Sequence, residues 1–222
     1  MNIFQFLNSL DELLYELMSW FVFFPVTMWR LLRHPIATMR YAEEQLRLDE
    51  NRQYRGTVSP PIMLILTVAV TQCIDLAVDN TNPIVTSHQG LAELISDNTS
   101  LFLLRLVLFG SFAILLATRK VQRSAVDLDR DSLKPAFYAQ CYAIAPFALL
   151  VSSGTIALGH ALLPVQVLGL TALVAAFLFY GAVQVRWFQQ ALDQSVFRSI
   201  VDAAIGMIGS FAITLGLALL FQ

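Results

Sequence analysis

Five long apolar runs divide this chain. They cover residues 61–78, 101–117, 136–158, 165–185 and 200–221. An α-helix rises about 1.5 Å per residue and must cross roughly 30 Å of hydrocarbon, so apolar runs of about 18 residues are typical of membrane-spanning helices. The strands of a membrane barrel would instead alternate apolar and polar residues. We therefore predict an all-α membrane protein with five transmembrane helices.

The basic residues fall into alternate gaps between these runs. Six arginines precede the first run (Arg30, Arg33, Arg40, Arg47, Arg52 and Arg55), and five basic residues separate the second run from the third (Arg119, Lys120, Arg123, Arg130 and Lys134). The first-to-second and third-to-fourth gaps contain none. Basic connections stay on the cytoplasmic side. This predicts a cytoplasmic N-terminus and an outside C-terminus, and it supports the second run, which is the shortest and contains Arg105.

The N-terminal segment has apolar residues at helical spacing. One face carries Ile3, Phe6, Leu7, Leu10, Leu13, Leu14, Leu17, Trp20 and Phe21, and the other carries Gln5, Asn8, Asp11, Glu12 and Glu16. The apolar stretch 18–29 contains Pro25 and is too short to span a bilayer. We predict an amphipathic helix that lies in the membrane interface or re-enters it. It would act as an anchor or lid on the bundle, or dock a partner through Phe6, Leu10, Leu14 and Trp29.

Residues 41–56 are rich in Arg and Glu. We expect them to form a solvated helix that ends near Gly56. The chain would then consist of a cytoplasmic and interfacial segment at 1–56 and a five-helix transmembrane domain at 57–222.

Two charged residues lie inside the predicted spans. Asp75 is near the outer end of the first span, and Arg105 is near the outer end of the second, which runs the other way. At about 1.5 Å per residue, both are roughly 5 to 8 Å inside that end. Charges inside a membrane usually pair or line a polar cavity. We predict an Asp75–Arg105 ion pair, the alternative being that Arg105 extends outward along its own helix.

Two further patterns concern helix shape and packing. Pro146 lies within the third span and predicts a helix break, which could shape a binding site or serve packing. In the fifth span small residues recur every four positions, a pattern that permits close approach of another helix within the chain or in a second subunit. These residues are Gly206, Ser210, Thr214 and Ala218.

The sequence contains none of the common catalytic motifs. The zinc-hydrolase, phosphate-loop, dinucleotide-binding and nucleophile-elbow patterns are absent. His34, His88 and His160 lie in or near separate connections without the spacing of metal ligands. The net charge of −2 gives no attraction to nucleic acid. We therefore expect no enzyme activity, no cofactor and no metal.

Two segments carry a family resemblance. They are Gly56-Thr57-Val58-Ser59-Pro60-Pro61 and Ala136-Phe137-Tyr138-Ala139-Gln140-Cys141-Tyr142-Ala143-Ile144-Ala145-Pro146. With the five-span order, they resemble the Yip1-like family of membrane proteins, which share five helices and a cytoplasmic N-terminus. The chain lacks the long polar tail of eukaryotic members and is similar to compact bacterial relatives. That likeness implies a bacterial inner-membrane protein.

These features lead to two functional hypotheses. The first is a non-catalytic scaffold or accessory subunit of a larger membrane assembly, surrounded by lipid and bound to a membrane-protein partner or to further copies of itself. The second is a small permease or carrier subunit that uses the polar region of Asp75, Arg105 and Pro146.

Overall fold

The computed structural model describes residues 3–78 and 98–220, with side chains at 11–12, 14–78 and 98–217. All regular secondary structure in these ranges is helical. The helices are α1 (Ile3–Arg33), α2 (Pro35–Gln45), α3 (Pro60–Ala77), α4 (Asn98–Arg123), α5 (Arg130–Leu158), α6 (Leu163–Ala191) and α7 (Val196–Leu220), with one 3-10 turn at Glu50–Arg52. The predicted all-α class is confirmed.

Helices α3 to α7 are each long and apolar enough to cross a membrane. Their positions match the five predicted spans, except that residue 78 follows α3 and residue 221 lies outside the described residues. The second predicted span, α4, has the most apolar window of the five, with a mean hydropathy of 2.3. Its apolar run is short only because charged residues follow it within the same helix. Two helix starts follow local chemistry. Pro60 opens α3, where a missing N–H costs nothing, and an Asp129–Ser132 capping box opens α5.

Helix α5 is the centre of the bundle. It packs against α2, α3, α4 and α6, and residues 139–148 are all buried. The helix continues through Pro146 without interruption, and the kink expected there stays a prediction. A proline removes one backbone hydrogen bond, here to the carbonyl of Tyr142, and dense packing on every side of a buried helix can hold the remaining turns in place.

Small residues set the closest helix crossings. A Cβ added to Gly169 of α6 would lie 2.7 Å from the carbonyl oxygen of Gly154 of α5, so the two backbones are nearly in contact. A Cβ on Gly206 of α7 would lie 2.4 Å from Cδ2 of Leu116 in α4. At both crossings the absence of a side chain is what lets the helices approach.

The segment before α3 packs onto the bundle. Helix α1 is continuous through Pro25, and one face of its second half, including Phe24, Met28 and Leu31, packs against α3 and α5. The predicted solvated helix at 41–56 is wrong, because α2 spans Pro35–Gln45 and then gives way to irregular chain. Met39 and Ala42 of α2 are fully buried. The apolar residues within 35–45 therefore determine how this segment packs, and the neighbouring charged residues do not keep it in solvent.

Candidate functional site

An ionic cluster joins α3 and α4 inside the bundle. Nη2 of Arg105 donates to Oδ2 of Asp75 at 2.6 Å, and Nη1 donates to Oε1 of Gln72 at 2.8 Å. The two helices run antiparallel, which brings residues at matching depth together. The side chain of Asp75 is 5% exposed and that of Arg105 is 14% exposed. The structure thus brings together the two charges that the sequence placed at one depth, and it adds Gln72.

A polar stripe on α3 leads to this cluster. Thr67, Thr71, Gln72 and Asp75 are all buried. The Thr67 hydroxyl donates to the carbonyl oxygen of Met63 at 2.7 Å, and that of Thr71 donates to the carbonyl oxygen of Val68 at 2.9 Å. Each residue of the stripe therefore makes at least one hydrogen bond within the protein. Gln72 and Asp75 tie α3 to α4, whereas the threonine hydroxyls bond within α3. A polar solute could bind here only by exchanging these bonds.

A second ionic cluster lies at the opposite end of the bundle. We name this the basic end, because Arg119, Lys120 and Arg123 at the end of α4 meet α2, α6 and α7 there. Oδ1 of Asp202 accepts from both Nε and Nη2 of Arg119, at 3.0 and 2.7 Å. Its Oδ2 accepts from Nε of Arg123 at 3.2 Å and from Nε2 of Gln194 at 3.0 Å.

Sequence reasoning missed this cluster. The available signal was an aspartate just inside the fifth span, at the same end as the basic residues that follow the second. Ion pairs therefore hold both ends of α4, to α3 at one end and to α7 at the other.

Helix α2 is also tied to the basic end. Lys120 of α4 forms an ion pair with Glu43 and lies over the ring of Trp187, 4.9 Å from its centre. Nη2 of Arg40 donates to Oε1 of Gln190 at 3.1 Å. These bonds hold α2 across the ends of α4 and α6.

A pair of glutamines joins α5 and α6 in the core. Nε2 of Gln140 donates to Oε1 of Gln184 at 3.0 Å, and Nε2 of Gln184 donates back to Oε1 of Gln140 at 2.7 Å. Both side chains are fully buried. The pair was not predicted from the sequence. Two glutamines inside neighbouring apolar runs could have indicated a buried amide pair.

A hydrogen-bonded chain fixes the approach to α3. The Tyr142 hydroxyl donates to the carbonyl oxygen of Val58 at 2.6 Å, and the N–H of Val58 donates to Oγ1 of Thr27 at 3.1 Å. Tyr54 donates to the carbonyl oxygen of Ala42 at 2.8 Å, and burial raises its pKa. The segment 56–61 thus meets the segment 136–146 through Tyr142.

The predicted packing stripe on α7 is used within the chain. Gly206 and Ser210 are buried, with Gly206 against Leu116 of α4, and Thr214 is half-buried. Ser210 and Thr214 donate to the carbonyl oxygens of Gly206 and Ser210, respectively. The side chain of Ala218 lies outside the described residues.

The predicted docking residues lie on α1. The side chains of Leu14 and Trp29 are 47% and 58% exposed. Phe6 and Leu10 belong to the same helix, and their side chains lie outside the described residues. A cleft of about 650 Å³ separates α1 from residues 50–59, and its lining includes Glu12, Glu16 and Glu50.

Three cavities on the described part of the chain lie near α1, α2 or the start of α5, and neither Asp75 nor Arg105 lines any of them. Comparison of the chain with protein-family models, with curated proteins and with solved structures finds no match.

Proposed function

We propose that the chain is a non-catalytic scaffold or accessory subunit that docks a membrane-protein partner through α1. The observation that carries this proposal is an exposed apolar face on α1, a helix outside the five candidate spans. We name this the α1 outer face, formed by Leu14, Met18, Phe21, Val22 and Trp29. Phe21 is 79% exposed. Helical spacing places these residues on one side of α1, opposite Glu12 and Glu16.

The charges beside this face suggest the chemistry of the partner. Three acidic residues and one basic residue line the neighbouring cleft: Glu12, Glu16, Glu50 and Arg55. None of the three carboxylates forms an ion pair with a described residue. Carboxylates one turn apart on a helix repel one another, and a cation between them would relieve that repulsion. We infer an amphipathic partner segment whose apolar side covers the α1 outer face and whose basic residues reach the cleft.

The interior of the bundle is consistent with a structural role. The buried charges and amides described above bond to one another, and these bonds join neighbouring helices. A rigid bundle that presents one unpaired helix face is well suited to positioning a partner. The basic end would lie on the cytoplasmic side because translocating its arginines is unfavourable, which places α1 in the cytoplasmic interface. The resemblance to compact Yip1-like relatives favours a bacterial inner membrane.

Site-specific photocrosslinking in native membranes tests the docking proposal. A photoreactive residue at Phe21 or Met18 should form a covalent adduct with one discrete protein. The same residue at Ile208, an exposed position in a span, should crosslink to lipid. Leu14→Asp should abolish the protein adduct, whereas Glu16→Asp, on the opposite face of α1, should preserve it. Lipid adducts alone at Phe21 would contradict the proposal and leave α1 as a membrane anchor.

A carrier function is the second candidate. It is favoured by one observation, the buried polar stripe from Thr67 to Asp75 that ends on Arg105. A carrier would open this stripe to a polar solute during transport. Asp75→Asn should then abolish flux while the protein adduct at Phe21 persists. A scaffold has no transport activity, so the effect of Asp75→Asn on flux distinguishes the two functions.

A further inference from the structure

A groove lies where α1 meets α2, on a different part of the surface from the α1 outer face. Its volume is about 340 Å³. The residues that line it are Arg30, His34, Ala37, Thr38, Tyr41 and Thr57.

The groove carries positive charge without a matching carboxylate. Arg30 and His34 are one helical turn apart and both are exposed. Nη1 of Arg30 donates to the carbonyl oxygen of Gly56 at 3.3 Å, and the other guanidinium donors point to no described acceptor. Within the described ranges no carboxylate forms an ion pair with Arg30, Arg33 or His34. The positive charge of Arg30 is therefore available to bind an anion.

Uncharged donors complete the lining. The Tyr41 hydroxyl accepts from Oγ1 of Thr57 at 3.4 Å, which leaves its own proton for another acceptor. The imidazole of His34 does not cap α2, so its nitrogens are available as well. Arg30, His34 and Tyr41 thus offer three kinds of donor to one space, a combination suited to the several acceptor oxygens of a phosphate.

The surroundings indicate that this phosphate belongs to a lipid. The chain has five candidate membrane spans, and the groove adjoins exposed apolar side chains of α1. Val26 lies one turn before Arg30, and Trp29 directly precedes Arg30; both apolar side chains are exposed. The guanidinium of Arg33 stacks over the Trp29 ring, with Cζ 4.8 Å from the ring centre. Tryptophan and arginine together are typical of the headgroup level of a membrane.

We propose that the groove binds the phosphate of an anionic phospholipid, with Arg30, His34 and Tyr41 as donors and the acyl chains along Val26 and Trp29. The acyl chains would share Trp29 with the α1 outer face, whereas the phosphate donors belong neither to that face nor to the Asp75–Arg105 cluster. A net negative headgroup, rather than a zwitterionic one, matches the unpaired charge of Arg30 and Arg33.

Lipid retention by the purified full-length chain tests this proposal. The probes are palmitoyl-oleoyl phosphatidylglycerol and the phosphatidylcholine with the same chains, added to delipidated protein in detergent and quantified by native mass spectrometry. We expect the protein to retain the anionic lipid roughly tenfold better. Arg30→Gln should remove this preference, and Arg52→Gln, which changes an exposed arginine outside the groove, should leave it intact.

A second variant separates binding from folding. Ala37→Glu places a negative charge in the groove, on the first turn of α2, where acidic residues stabilise a helix. It should abolish the preference for phosphatidylglycerol without lowering the unfolding temperature, and Ala37→Gln should have no effect. Equal retention of both lipids by the unmodified protein, or full retention by Ala37→Glu, would overturn the proposal. Displacement of the lipid by millimolar glycerophosphoglycerol would also overturn it, because the ligand would then be a free phosphodiester.

Discussion

Arg119 of α4 donates two hydrogen bonds to a single oxygen atom of Asp202, on α7, from Nε at 3.0 Å and from Nη2 at 2.7 Å. Arg123 and Gln194 occupy the other carboxylate oxygen. One buried carboxylate thus joins the end of α4, the start of α7 and the connection between α6 and α7. Helix α7 also packs against α4 and α6, and this cluster adds an ionic contact to that packing.

Removing the charge of Asp202 should loosen α7. Asp202→Asn leaves the two arginines without a carboxylate, and we expect a loss of about 2 kcal/mol in the free energy of unfolding. The loss stays below that of a fully buried pair because Arg119 and Arg123 are partly exposed and can reach water. Thermal unfolding in detergent measures it. Asp193→Asn, an exposed position on the same connection, is the control and should have no effect.

The Asp75–Arg105 pair should show strong coupling between its members. Arg105→Leu strands a buried carboxylate and should destabilise the protein by about 3 kcal/mol. Adding Asp75→Leu should restore part of that stability, because no charge is then left unpaired. Unfolding of the two single variants and the double variant gives the coupling energy. Additive effects would mean that the pair contributes nothing, and Cys73→Ala, an exposed change on α3, controls for the measurement.

At the crossing of α5 and α6, adding a single methyl group should destabilise the fold. Gly169→Ala brings Cβ to within 2.7 Å of a backbone oxygen that cannot move away without shifting a helix. We expect a loss of about 2 kcal/mol. Gly181→Ala in the same helix meets no atom within 4 Å and should be neutral or stabilising by up to about 1 kcal/mol. Equal unfolding temperatures for the two variants would contradict this account of the crossing.

Two buried tyrosines should respond differently to loss of the hydroxyl. Tyr142→Phe leaves the Val58 carbonyl oxygen without its donor and should cost about 1 kcal/mol. The Tyr180 hydroxyl has no partner in hydrogen-bonding geometry among the described residues; the neighbouring Gln184 amide is already paired with Gln140. Tyr180→Phe should therefore leave stability unchanged or raise it. Urea titration of both variants in one detergent makes the comparison.

Asp129 should make the stability of α5 depend on pH. The backbone N–H of Ser132 donates to its carboxylate at 2.7 Å, and this bond lowers the pKa of Asp129. Because the folded pKa is the lower one, the contribution is present above the unfolded pKa of about 3.9 and is lost as the pH falls through the folded value. Asp129→Ala should lower the unfolding temperature at pH 7, and the difference from the unmodified chain should shrink as the pH falls below the unfolded pKa of about 3.9. Asp131→Ala, which is not the capping residue, should show no such convergence.

The spans and the Asp75–Arg105 contact could be predicted because both depend on length and depth along a helix. Continuous apolar runs fix which segments cross, and antiparallel neighbours fix which residues share a level. Helix α4 illustrates this: its basic end and its lone Arg105 are each explained by position along the membrane normal.

Lateral contacts were harder to predict. Asp202 and the Gln140–Gln184 pair depend on which helices are neighbours and how each is rotated, and apolar periodicity is weak in helices that face lipid on one side and protein on the other. The course of α5 at Pro146 depends on neighbouring helices in the same way. Local propensity favours a break, whereas the surrounding helices decide the outcome.

The reciprocal amide hydrogen bonds of Gln140 and Gln184 fix the register of α6 against α5. Sliding α6 by one turn along α5 would set Gln140 opposite Tyr180 or Phe188, and the amide groups would lose their mutual partners in a medium without water. Apolar side chains tolerate many alignments of two helices, but this pair tolerates one. The α5–α6 hairpin therefore contains the contacts that fix its own register, and this register does not depend on the other helices.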